Sequence, residues 1–145
     1  MIQILGLKEL PLEGGYFKVT HRDHALSTIY YLITQDSFSA LHSLKATEVW
    51  NFYAGHMAQM IQISPEGNLQ QFTLGADLRS GQLHQVKVPP HFLQGTRLLG
   101  NGAWALFGCT VSPPYEDDHY IHGERCEIIK RFPHLFDIIC RYTRS

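Results

Sequence analysis

The chain has 145 residues, 44% of them hydrophobic, with twelve basic and thirteen acidic side chains and a formal net charge of -1. That length and apolar content bury one sizeable core without disulfide staples, so a single domain spanning residues 1–145 is expected. Charge this balanced offers no positive face for a phosphate backbone, which argues against nucleic acid as a partner.

The N-terminus, Met1-Ile2-Gln3-Ile4-Leu5, carries no basic leader, and no later window reaches the length of a membrane span. Cys109, Cys126 and Cys140 are odd in number and widely spaced, and read as buried thiols in a reducing compartment. A soluble cytoplasmic protein with no membrane partner is the expectation.

From Thr28 to Val111, short apolar or alternating runs recur between turn residues. The pattern predicts strands over Thr28 to Thr34, Phe38 to Ser43, Glu48 to Ala54, Met57 to Ile63, Leu69 to Leu74, Gln85 to Pro89 and Ala103 to Val111. Ser64-Pro65-Glu66-Gly67-Asn68 is rich in turn formers and separates two runs able to pair as a hairpin. Asn101-Gly102 marks another turn. Helical periodicity is confined to Glu124 to Arg131 and His134 to Tyr142, interrupted by Pro133, so short outer helices follow an antiparallel sandwich or barrel.

Two residues stand out chemically. His42 and Glu48 place an imidazole and a carboxylate on adjoining apolar strands. Alternation along a strand puts Glu48, Trp50 and Phe52 on one face, which reads as a pocket wall. A carboxylate turned into a small barrel needs a partner, and His42 is the natural one by position; the alternative is a solvent-facing Glu48 at a strand start with His42 a satisfied core or rim histidine.

The segment His42-x-Leu44, three residues, Glu48, six residues, Gly55 resembles the first motif of the cupins. Leu10-Pro11-Leu12-Glu13-Gly14-Gly15-Tyr16-Phe17-Lys18 is similar to the opening of the cupin-5 branch, also called DUF985 and described as sugar-epimerase-like. Thr28 to Leu32, Gly81 to Pro89 and Gly108 to Glu116 agree with the same branch. The resemblance implies an all-β double-stranded β-helix (a jelly-roll barrel) with a central cavity, short peripheral helices near the C-terminus, and pairing into homodimers.

In metal-binding cupins, two first-motif histidines, the glutamate and a second-motif histidine hold a divalent ion. Here Leu44 takes the second histidine position, and Gln94 falls where the second-motif histidine is expected. The set left for a divalent metal is His42, Glu48 and Gln94, a degraded site, so no cofactor is expected. His91 stands where the family places a small turn residue, and either caps a turn or projects over the cavity.

The resemblance makes the opening segment a cavity rim, where Glu13 could bond a sugar hydroxyl or simply stabilise the Gly14-Gly15 turn, and Lys18 replaces the usual Arg. Tyr16, Tyr30, Trp50 and Phe52 offer stacking surfaces or core, and Gln85 and Gln94 either read ligand hydroxyls or bond neighbouring backbone. The expected function is binding of a small, carbohydrate-like metabolite with isomerisation or epimerisation by proton transfer at His42 and Glu48, with Tyr30 or Tyr53 as a further donor. The alternatives are a non-catalytic binding cupin and a metal-dependent isomerase or oxygenase.

Overall fold

The computed structural model describes all 145 residues, as two antiparallel sheets facing each other. A short N-terminal helix, α1 (Ile2–Leu5), precedes β1 (Lys8–Glu9), β2 (Tyr16–Arg22), β3 (Ser27–Thr34), β4 (Ser39–Leu44), β5 (Thr47–Gly55), β6 (Ala58–Ile63) and β7 (Leu69–Leu74). Then come β8 (Gln85–Val88), β9 (Leu93–Leu98), β10 (Trp104–Ser112) and β11 (Tyr120–His122), followed by α2 (Arg125–Arg131) and α3 (Phe136–Arg141). One sheet runs β1-β2-β3-β10-β5-β8 and the other β11-β4-β9-β6-β7. No helix is long and apolar enough to cross a membrane.

The strands form where branched and aromatic residues cluster, as in Ser27-Thr28-Ile29-Tyr30-Tyr31-Leu32-Ile33-Thr34, which pairs along its whole length with β10. The hairpin expected around Ser64 to Asn68 joins β6 to β7, with Ile63 opposite Leu69. Between the sheets Tyr31, Ile33, Trp50, Met60, Leu74 and Phe107 make the main core. A second core lies outside the five-stranded sheet, where Leu41, Ile61, Ile63 and Leu93 pack under Ile128, Phe132, Ile138 and Ile139 of the helical segment. This explains why β4 is buried along almost its whole length: one face meets the barrel interior and the other meets α2 and α3. Pro133 starts a single 3-10 turn that separates the two helices.

Two details differ from the sequence reading. His42 on β4 and Glu48 on β5 follow each other in the chain but belong to different sheets, so they face across the barrel instead of lying on neighbouring strands. Of the three thiols only Cys109 is buried; Cys126 is exposed and Cys140 is half-buried, because one flank of each terminal helix faces solvent.

Candidate functional site

The two sheets leave a cavity of about 400 Å³ between them, lined by Glu13, His42, Glu48 and Trp50 together with Phe17, Ile29, Tyr31, Leu44, Cys109, Tyr120 and others. Strand alternation decides which side chains reach it. On β3, Ile29 and Tyr31 point in and Tyr30 points out; on β2, Phe17 and Val19 line the cavity, while Tyr16 packs against Leu7 and Leu32 outside it.

Glu13 enters from the loop between β1 and β2. Gly14 and Gly15 have φ of 93° and 78°, and a Cβ on either would fall 2.3 Å from the Phe38 carbonyl oxygen or 2.5 Å from the Tyr31 hydroxyl. The glycines thus let this loop lie flat on the barrel. Ala40 N–H donates to the Glu13 carbonyl at 2.8 Å, Ser39 Oγ donates to Glu13 Oε2 at 3.1 Å, and Tyr31 donates to the Gly14 carbonyl at 2.5 Å. Arg144 clamps the same loop, donating to the carbonyls of Leu12, Glu13 and Phe38.

His42 is only 2% exposed. Its Nδ1 lies 2.7 Å from the Ala40 carbonyl, which only accepts, so Nδ1 carries a hydrogen. That turns Nε2 toward Glu13 Oε1 at 3.5 Å, a contact that attracts only with a proton on one of the two. The imidazole stacks on Tyr120, with centroids 5.3 Å apart.

Glu48 is buried on β5, and Gln94 Nε2 reaches it from β9 in the opposite sheet, 2.7 Å from Oε2. Burial pushes the Glu48 carboxyl up from 4.5 to about 7; His42 and the Gln94 amide oppose the rise and Glu13 adds to it. Burial also raises the Tyr31 hydroxyl and the Cys109 thiol, with Glu13 adding to both. These two are proton-holding walls, not nucleophiles.

The other residues singled out from sequence stand elsewhere. Lys18 is exposed on the outer face of β2. Tyr30 and Tyr53 meet edge-on outside the six-stranded sheet with centroids 6.1 Å apart, so neither supplies a proton to the cavity. Phe52 packs on Phe107 in the core, Gln85 is exposed and bonds Asn51, and Gln94 sits behind Glu48 without lining the cavity. His91 is an exposed turn residue with φ of 70°, held by its N–H on the Leu44 carbonyl, and does not reach over the cavity. Tyr31, Cys109, Tyr115 and Tyr120, which do line the cavity, were not singled out. Parity along β3 was the available signal for Tyr31, because Ile29 and Leu32 had to face opposite sides.

A divalent metal is implied by the cupin resemblance, and the donors test it. Leu44 projects a hydrocarbon side chain into the cavity at the second histidine position, and Gln94 gives its amide N–H, not its oxygen, to Glu48. No three His, Cys, Asp or Glu side chains are placed to hold an ion. The residues present do not fit a resident transition metal.

Comparison with known proteins agrees with this architecture. Protein SO0799 from Shewanella oneidensis superposes with a TM-score of 0.93 and 30% identity, covering 99% of this chain and 95% of that one. An uncharacterized protein of Saccharomyces cerevisiae, YML079W, is 25% identical over 139 residues, 77% of this chain and 69% of its own length. A dTDP sugar isomerase from Desulfovibrio desulfuricans G20 shares the fold alone, with a TM-score of 0.60 and 15% identity over 81% of this chain and 80% of that one. Residues 1–121 match the family model Cupin_5, described as cupin superfamily (DUF985). The jelly-roll barrel, its cavity and this match over most of the sequence place the chain in the Cupin_5 family of the cupin superfamily.

Proposed function

We propose that the protein binds a small carbohydrate-like metabolite in the barrel cavity and isomerises or epimerises it by proton transfer, with Glu48 and His42 as the acting groups. One observation carries this reading: the Glu48 carboxyl, buried and pushed up to about 7 by that burial, lines the same cavity as His42 and Glu13. A carboxylate so placed is a stronger base than an exposed one and is populated in both forms at neutral pH, as general acid–base work requires.

In this scheme Glu48 takes the proton from a carbon next to the substrate carbonyl. The C–H pair becomes the new C=C bond, the carbonyl π pair moves to the oxygen, and a proton delivered through His42 Nε2, which faces Glu13 Oε1 at 3.5 Å, neutralises it. Glu48 returns its proton to the former carbonyl carbon while the neighbouring hydroxyl passes its own proton to His42, which gives an isomer; when instead solvent supplies a proton to the original carbon from the other face, Glu48 releases its proton to solvent and the enol hydroxyl returns its proton to His42, which gives an epimer. The step balances with no oxidant or reductant. The likeness in fold to a dTDP sugar isomerase supports the substrate class.

Binding without turnover is the second reading, favoured by Leu44, which removes a chemical donor from the cavity wall. The test is incubation with a panel of keto-sugars in deuterated buffer, followed by mass spectrometry. Deuterium entering next to the carbonyl, and lost in folded Glu48→Gln and His42→Ala variants, supports proton transfer. Tight binding without exchange across the panel leaves the binding module. We also propose a homodimer, from the family resemblance, which sedimentation would report as about twice the 16.6 kDa chain mass.

A further inference from the structure

The cavity wall carries more acid than base. Its carboxyls are Glu13, Glu48 and Asp117, set against one guanidinium, Arg22, and one imidazole, His42. Burial holds the protons of Tyr31 and Cys109 in place, so neither adds charge. Glu13, His42 and Glu48 are buried and form the inner end, whereas Arg22 and Asp117 are exposed and mark the mouth.

Neither positive group is free to meet an anion. Arg22 Nη2 lies 2.5 Å from Glu116 Oε1, and Nη1 donates to the Tyr115 carbonyl. The Tyr115 N–H in turn donates to Ser27 Oγ at 2.9 Å, so this guanidinium helps to hold the segment after β10 against β2 and β3, with its charge cancelled by Glu116. At the inner end His42 offers at most one positive charge to two carboxyls, Glu13 at 3.5 Å and Glu48, whose ionised form it favours. Arg144 stands outside the lining and is committed to the carbonyls of Leu12, Glu13 and Phe38. Asp117 is in no salt bridge, and its charge adds to burial in raising the Tyr115 hydroxyl.

A phosphate or carboxylate on a ligand would leave water for a wall of uncompensated like charge, which costs affinity. Hydroxyls find acceptors in the same wall, and an ammonium group finds opposite charge. Resting on the carbohydrate reading above, we propose that the cavity selects its substrate by charge: it takes free carbohydrates, uncharged or amino-bearing, and disfavours phosphorylated, nucleotide-linked and acidic ones, with Asp117 as a specificity-determining residue at the mouth. The selection acts through the field of the lining and so weakens as salt rises.

Dihydroxyacetone, its monophosphate and 1-amino-3-hydroxyacetone are a matched series without stereocentres, so sugar configuration has no say in the outcome. Titrations followed by proton–nitrogen NMR at low salt should place the amine tightest and the phosphate about tenfold or more below dihydroxyacetone, with the spread shrinking at high salt. Asp117→Asn keeps the shape and removes the charge; it should weaken the amine about threefold and leave dihydroxyacetone in place. Glu116→Gln releases Arg22 from its ion pair and should strengthen the phosphate about 3- to 10-fold. Both positions are exposed, so the variants should fold. Phosphate binding as tightly as dihydroxyacetone, a series unmoved by either variant, or no saturable binding of any of the three overturns the assignment. The expected order with no deuterium entering dihydroxyacetone upholds charge selection and sinks the proton-transfer reading instead. Deuterium entering dihydroxyacetone and its phosphate at equal affinity does the reverse.

Discussion

Gln94 on β9 donates its amide to Glu48 on β5 at 2.7 Å, a hydrogen bond that links the two sheets behind the cavity. It also helps to set the state of the carboxyl, because a donor aimed at a carboxylate favours the charged form. Gln94→Leu should therefore raise the Glu48 pKa above its present value of about 7. It should also cost roughly 1–3 kcal/mol, more at pH 8 than at pH 5. Urea denaturation at the two pH values, with carbon-detected titration of the Glu48 carboxyl, checks both parts.

Glu48 gives stability a definite pH slope. Unfolded, the carboxyl loses its proton near 4.5; folded, it keeps it to about 7. Between these values the folded state holds more protons, so stability from this group is fully present below 4.5 and is lost as pH rises through 7. The size is about 3 kcal/mol. Glu48→Gln should remove that slope and leave the variant more stable than wild type above pH 7, as denaturant midpoints from pH 4 to pH 9 would show. Parallel curves for the two proteins would mean that the carboxyl ionises as readily in the fold as outside it.

Leu44 and Gln94 are the two positions at which this barrel departs from a metal-binding cupin. The double substitution Leu44→His and Gln94→His should add two imidazoles near His42 and Glu48. The variant should take up about one nickel or zinc ion per chain and gain thermal stability when the ion is present. Wild type treated in the same way should retain no stoichiometric ion by elemental analysis.

Arg144 ties the loop that carries Glu13 to the start of β4, donating to the Leu12 and Glu13 carbonyls in the loop and to the Phe38 carbonyl just before β4. Arg144→Ala should cost about 1–3 kcal/mol. The loss should be local: the Ala40 amide, which donates to the Glu13 carbonyl, should exchange with deuterium faster, while amides in the β3–β10 ladder keep their protection.

Much of this barrel was legible in its sequence because most strands carry an apolar rhythm. Seven expected strands are present with ends shifted by a residue or so, and the Pro133 break falls where the periodicity placed it. The strands that escaped are the ones whose inward side chains are polar or whose setting is solvated. β9, Leu93-Gln94-Gly95-Thr96-Arg97-Leu98, turns Gln94 and Thr96 inward, and so has no alternating apolar signal. β2 lies near the edge of its sheet with most of its residues exposed. At the site, His42, Glu48 and Trp50 were visible because charge or size was out of place in an apolar run, and Glu13 was visible through the resemblance of its segment to the cupin-5 opening. Tyr16 and Tyr30 were chosen where Phe17 and Tyr31 face the cavity, because an aromatic pair on one strand does not reveal its own parity. Tyr115 and Tyr120 come from the irregular stretch around β11, where no period exists to read.

A wall that titrates near neutrality makes the solvent proton a second ligand of the cavity. Any occupant that only displaces water drives the Glu48 carboxyl further toward its neutral form, so its affinity falls as pH rises. An occupant that donates to the carboxyl does the opposite. The sign of each compound's pH slope thus reports which of its atoms rests against Glu48, and binding heats measured in buffers of different ionisation enthalpy count the protons that move.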